Sequence, residues 1–279
     1  MSAGDQPDSP LFVSTFGTGT DAGTGAGSVS VVCLHGIESH GLRFVGLAAR
    51  VPGIRVVAPD LRGHGRSPKV GPWTVEQHLD DMLPLLTSET GRAVLLGHSY
   101  GGMLAWRLAA LAPDRISALI LVDPAIAVAP DLAAASVTYS ASSVGHSWPS
   151  EADAFLEAVA TRPQSGIWSA ALDVAVSLAR GNDGLVRPVV APDAVAAGWV
   201  QMQEPLRPSA WRGPTLLIEA GREDGRFVSP AVVAQLRSQL GDALTHVVID
   251  TTHTIPSDYP DELAAAVRPF LTRFATASE

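Results

Sequence analysis

The chain has 279 residues, 46% hydrophobic and 17% charged, enough apolar material for one large core or one core plus an inserted subdomain. Its 19 Lys and Arg are outnumbered by 28 Asp and Glu, and the net charge of −9 with no basic stripe argues against nucleic acid or an anionic membrane as partner. The single cysteine, Cys33, rules out an intrachain disulfide and lies in an apolar run, as a small core residue would.

The first 28 residues contain neither Lys nor Arg and no long apolar block, so they do not read as a secretory signal. Leu11–Phe16 reads as one edge strand, and the Gly/Ser/Thr-rich stretch Asp21–Ser28 as a flexible loop. No uncharged apolar segment approaches the ~20 residues of a membrane span, so the expectation is a cytoplasmic protein. Short β-branched or Leu-rich runs then recur at Val29–Leu34, Ile54–Ala58, Arg92–Leu96, Ala118–Val122, Thr215–Glu219 and His246–Asp250, as in strands buried on both faces. Between them Leu42–Val51, Thr74–Ser88, Met103–Ala112, Pro230–Leu240 and Asp261–Ala275 have helical spacing. Thr74 with Gln77, and Ser229 before Pro230, are helix-start signals.

This alternation predicts an α/β fold, a mostly parallel central sheet with helices on both faces. The rhythm breaks between Pro124 and Pro214, which is Ala-rich, shows no convincing strand, and has helix-like pieces near Glu151–Thr161, Ile167–Arg180 and Asp193–Glu204. The predicted division is a core of 1–123 and 214–279, partly flexible over 1–28, with a mostly helical cap of 124–213 inserted into it.

The most informative motif is Gly97-His98-Ser99-Tyr100-Gly101, set between an apolar run and an amphipathic stretch. Gly-x-Ser-x-Gly in a strand-to-helix turn presents a serine hydroxyl at a sharp bend beside helix N–H groups. The flanking glycines suit places where neighbouring backbone passes too close for a Cβ.

In chain order the motifs are Leu34-His35-Gly36, then Asp60-Leu61-Arg62-Gly63-His64-Gly65-Arg66-Ser67, then Gly97-His98-Ser99-Tyr100-Gly101-Gly102, then Gly221-Arg222-Glu223-Asp224, and finally His253 before the last helix. Together they resemble the α/β-hydrolase family over nearly the whole chain. The resemblance implies that Ser99 is the nucleophile and His253 its base, since a serine hydroxyl needs a base within hydrogen-bond reach. One departure is Thr252, where the family usually has glycine. The acid that orients His253 is expected at Asp224, with the adjacent Glu223 and Asp123, at the end of Ala118–Val122, as rivals. The oxyanion hole is expected from the backbone N–H groups of Ile37 and Tyr100. Asp60 is expected to hold the following Arg-Gly-His-Gly turn, and the remaining histidines are expected to be structural or solvent-facing.

The expected chemistry is hydrolysis of a small-molecule carboxylic ester through an acyl-enzyme. Serine-dependent lactonase, thioesterase, perhydrolase and carbon–carbon bond hydrolase reactions are the alternatives on the same fold, and a non-catalytic ligand receptor is the remote one. No metal, nucleotide or redox cofactor is implied, because no metal-ligand cluster, Walker-type loop or dinucleotide fingerprint is present. Trp148, Trp168, Trp199 and Met202 are the candidate pocket residues, read against the alternative that they form the cap's own core. No residue pattern specifies an oligomeric state.

Overall fold

The computed structural model describes residues 10–17, 29–86, 92–222 and 227–274. Its main sheet has seven strands: β1 (Val13–Gly17), β2 (Val29–Leu34), β3 (Ile54–Pro59), β4 (Ala93–His98), β5 (Ile116–Val122), β8 (Thr215–Ala220) and β9 (Leu244–Ile249). Their spatial order is β1-β3-β2-β4-β5-β8-β9. Only β1, on the edge, runs antiparallel to its neighbour; the other pairings are parallel.

Strand alternation sends successive side chains to opposite faces, and each face has its own apolar cluster. Val32, Leu34, Leu95, Leu119 and Leu121 join α2 (Val75–Met82), α3 (Tyr100–Leu111) and α8 (Pro230–Leu240). Val31, Cys33, Val94, Leu96, Ile120 and Val122 join α1 (Val45–Arg50) and α10 (Pro260–Leu271) on the other face. Each fully buried Val or Leu contributes about 1.5–3 kcal/mol of transfer free energy, which is why these strands tolerate no polar alternation. The predicted helix starts form as expected: Thr74 Oγ1 accepts from Gln77 N at 3.2 Å, and Ser229 Oγ from Val232 N at 3.3 Å with Pro230 in the first turn.

Between β5 and β8 the chain leaves the sheet. It forms α4 (Pro130–Gly145), α5 (Glu151–Thr161), α6 (Gly166–Ser177), β6 (Leu178–Arg180), β7 (Val186–Pro188) and α7 (Pro192–Gln201). Two features depart from the sequence expectation. The helix expected to reach Arg180 stops at Ser177, and 178–180 pairs antiparallel with β7. A turn causes this, closed by Gly184 N donating to Gly181 O at 3.0 Å, and a three-residue strand is too short to show a period of two. The second is α4, whose 16 residues, many of them Ala, Ser and Thr, carry almost no apolar stripe. A short α9 (Ile255–Asp258) lies between β9 and α10.

Candidate active site

Strand order reverses around β2 and β4, and in such sheets the loops at the carboxyl ends of the strands enclose a crevice. Leu34 pairs with Gly97 and His98 with Val122, so the exits of β2, β4 and β5 lie side by side. Ser99 occupies the single residue between β4 and α3 with φ 54° and ψ −120°, a left-handed conformation costly for a residue with a Cβ. The surroundings enforce it. Ser99 N donates to Val122 O at 3.1 Å, while Ser99 O accepts from Gly102 N at 2.9 Å and from Ala125 N at 3.1 Å. A Cβ on Gly97 would lie 2.2 Å from Gly101 O, and one on Gly101 would lie 2.3 Å from Leu34 O. These two glycines let the helix start close against the strands.

His253 lies in the loop before α9 and reaches back to the serine, its Nε2 2.9 Å from Ser99 Oγ. Its Nδ1 is 2.5 Å from Asp123 Oδ2. A carboxylate facing Nδ1 holds the proton there and leaves the Nε2 lone pair for the serine hydroxyl, which donates to it. Asp123 is fully buried, and its other oxygen accepts from Ala220 N at 3.2 Å. Its own N–H donates to Ile218 O at 2.7 Å, extending the β5–β8 ladder by one residue and placing the carboxylate between the two strand ends. Asp123 is thus the carboxylate brought to His253. Asp224 and its neighbour Glu223 lie outside the described residues.

Two further groups fix the imidazole. His98 Nε2 donates to the backbone carbonyl of His253 at 2.8 Å. Burial first, and then the proximity of His253, hold the His98 imidazole well below its usual pKa, so this bond is made by a neutral ring. Phe227 packs at a tilt of 55° against His253 with ring centroids 4.3 Å apart, and Trp199 follows at 6.0 Å from Phe227. Phe227 carried no motif signal in the sequence; only its spatial neighbours reveal it.

The residues expected at the oxyanion position flank the serine. A Cβ on Gly36 would come 3.1 Å from Ser99 Cβ, so the peptide leading into Ile37 lies against Ser99. Tyr100 opens α3, and its hydroxyl donates to Gln201 Oε1 on α7 at 2.6 Å. Asp60 holds its loop as expected, accepting from Gly41 N at 2.8 Å and Arg66 N at 2.9 Å. His35 accepts from Leu61 N through Nε2 at 2.8 Å and donates through Nδ1 to Gly36 O at 2.7 Å. Among the described residues no three His, Cys, Asp or Glu side chains converge to hold a metal ion.

A family model described as the alpha/beta hydrolase family matches residues 31–266. The chain belongs to the alpha/beta hydrolase family. Lipase LipV of Mycobacterium tuberculosis is 32% identical over 253 residues, covering 87% of this chain and 93% of the relative. Esterase YbfF of Escherichia coli is 27% identical over 252 residues, covering 86% of this chain and 92% of that protein. The crystal structure of E-2-(acetamidomethylene)succinate hydrolase superposes with a TM-score of 0.79 at 22% identity, covering 94% and 95% of the two chains, a likeness of fold. No helix among the described residues is long and apolar enough to cross a membrane.

The four candidate pocket residues separate in space. Trp199 is buried and reaches the imidazole through Phe227, with its indole N–H on Ser140 Oγ at 3.0 Å. Met202 is fully buried in the same apolar cluster as Trp199 and Tyr100. Trp148 donates instead to Glu157 on α5 at 3.0 Å, and Trp168 is 89% exposed. The last two are therefore not brought to Ser99. No motif in the sequence separates them from Trp199.

Proposed function

We propose that this alpha/beta hydrolase cleaves small-molecule carboxylic esters through an acyl-enzyme on Ser99, with His253 as general base and Asp123, in place of Asp224, as the orienting acid. The observation that carries the reading is the unbroken Ser99 Oγ–His253–Asp123 relay, with contacts of 2.9 and 2.5 Å. The match to a lipase and an esterase over most of the chain supports the ester class.

His253 takes the Ser99 proton as Oγ attacks the ester carbonyl, and the buried Asp123 carboxylate stabilises the imidazolium that forms. The backbone N–H groups of Ile37 and Tyr100 receive the carbonyl oxygen as it becomes negative, each contributing roughly 2.7–4 kcal/mol to the transition state. His253 then protonates the departing alcohol. Water, activated by the same imidazole, releases the acid and restores Ser99. Residues 124–213 serve as a cap over this centre, with Ile37, Trp199 and Phe227 forming an apolar wall for the acyl or alcohol group.

A fluorophosphonate probe tests the reading: it labels the folded protein at Ser99 and fails to label Ser99→Ala. On a panel of p-nitrophenyl esters, lactones and thioesters, the esters are turned over fastest. Absence of an adduct on Ser99 in folded protein refutes the acyl-enzyme, and a clear preference for lactones or thioesters refutes the ester assignment.

A further inference from the structure

Ala194, Gly198 and Gln201 of α7, spaced four and three apart, share one face of the helix, and each meets a different part of the core. A Cβ on Gly63, in the loop after β3, would come 2.4 Å from the Ala194 methyl, and Ala191 N, just ahead of the helix, donates to Gly63 O at 2.7 Å. Gly198 is buried, and a Cβ there would lie 2.5 Å from Ile37 Cδ1 and 3.7 Å from Tyr100 Cε2. Glycine is a poor helix former in mid-helix, and here it makes room for the Ile37 side chain. Gln201 closes the face. Its Oε1 accepts from the buried Tyr100 hydroxyl at 2.6 Å, and its Nε2 donates at 2.6 Å to the carbonyl of Trp73, shortly before α2. The amide is fixed in this sense because a carbonyl only accepts, which leaves Oε1 for the hydroxyl.

We propose that Gly198 and Gln201 are positioning residues: this face of α7 seats the Ile37 and Tyr100 side chains together and so sets the spacing of the two N–H groups that receive the oxyanion. This rests on the reading of those two residues as donors given above. Ile37 follows β2 and Tyr100 follows β4, so the two donors are carried by separate strands. A backbone donor moves with the residue that carries it. Gly198 lies against both residues, and Gln201 holds the far end of the Tyr100 ring, so a shift of α7 is passed to both N–H groups. Such a shift matters because an oxyanion gains most when its donors stand roughly 2.7–3.1 Å away.

The test compares Gly198→Ala, with and without Ile37→Val, and the cycle of Gln201→Met, Tyr100→Phe and their combination. Each is assayed for kcat and KM on p-nitrophenyl butyrate, for the pH dependence of kcat/KM, and for affinity toward an aryl trifluoromethyl ketone. Ser99 Oγ adds to the ketone carbon, the serine proton passes to His253, and the carbonyl π pair moves to oxygen, giving an oxyanion that needs the hole. Gly198→Ala is expected to lower kcat about tenfold or more, leave KM within about threefold, and weaken the ketone by the same factor as kcat. The Ile37→Val background lacks the Cδ1 that the new methyl would strike, and there the same substitution is expected to cost less than about threefold. Gln201→Met and Tyr100→Phe are each expected to lower kcat about threefold or more, and the double variant to lose no more than the larger single loss. The acid limb of the pH profile keeps its midpoint in all of them, because the base is untouched. The proposal is overturned if Gly198→Ala leaves kcat unchanged or raises KM alone, if its cost is the same with Ile37→Val, if the Gln201 and Tyr100 losses multiply, or if the acid limb moves. Should Gly198→Ala fail to fold, by far-ultraviolet circular dichroism, the Gln201–Tyr100 cycle and its ketone affinities decide alone. Failure of wild-type protein to label with a fluorophosphonate would sink the serine-hydrolase reading instead, and is scored separately.

Discussion

The sheet and the segment inserted between β5 and β8 are built on different physical terms. In β4 and β5 every residue but one is buried, and the strands are tied by a parallel ladder unbroken from Val94–Ala118 to His98–Val122. In α4, α5 and α6 the buried residues are few and small (Ala133 and Ser140, Ala154, Ala170), while Tyr139, Leu156, Ile167 and Trp168 stand largely exposed. Beside the apolar anchors Ala133, Val195, Trp199 and Met202, polar contacts tie this layer to the core: His40 and Arg43, beside the loop after β2, both hold Asp173 on α6, which also pairs with Arg162 at 3.1 Å. Burial opposes ionisation of Asp173, yet the nearby Arg43, His40 and Arg162 outweigh it and hold its pKa well below the usual carboxylate range. Ser99, His253 and Asp123 thus stand at the ends of the densely packed sheet, while Trp199 is carried by the inserted segment. Such a division permits precise chemistry with variable selectivity.

The largest effect that would break this comparison is in the sheet. Asp123→Asn is expected to lower ester kcat by about four orders of magnitude with the fold intact, because the wrong tautomer then faces Ser99. Asp224→Asn is expected to cost less than tenfold; parallel steady-state assays of the two variants check this, and the reverse ranking would move the acid to the β8 loop. Next comes Gly97→Ala, which sets a methyl against Gly101 O and is expected to destabilise by about 3–5 kcal/mol in urea denaturation, or to prevent folding.

Acid comes third. Burial holds His64 and His78 at about 4, against 6.5 for the free side chain, so the unfolded chain binds more protons than the folded one between those values. Stability is therefore full above about pH 6.5 and falls as pH drops toward 4. Each of these two rings contributes up to about 3 kcal/mol to the loss once protonated in the unfolded chain, and urea midpoints measured from pH 7.5 to 4.5 check the sign and the window.

Smaller effects belong to the inserted layer. Trp199→Ala, by removing the ring behind Phe227, is expected to raise KM for bulky acyl esters several-fold more than for acetate esters. Trp168→Ser is expected to shift stability by less than about 0.5 kcal/mol and leave kinetics unchanged, as suits an exposed ring. A large loss at Trp168 would show that the layer is packed more like the sheet than its surface indicates.

How far the sequence could be read follows the same boundary. The strands and the Ser99 turn were legible because a parallel strand must be apolar on both faces and a sharp strand-to-helix turn requires glycine at fixed offsets. His253 was legible by its place just past the last strand. The orienting acid was not, since Asp123 and Asp224 each come shortly after a strand-like run in the sequence. For Asp123 the structure adds the ladder bond from its N to Ile218 O, which aims that carboxylate at the imidazole. In the inserted segment neither α4 nor the β6–β7 pair had a readable period. The role of each tryptophan there depended on which side its helix turned toward the core.

The bond from His98 to the main chain of His253 gives β4 two duties at once. The strand that leads into Ser99 also tethers the loop that carries His253, so the hydroxyl and the ring share one mount. Because burial holds the His98 imidazole well below its usual pKa, this tether is made by a neutral ring whose Nε2–H is committed to the His253 carbonyl.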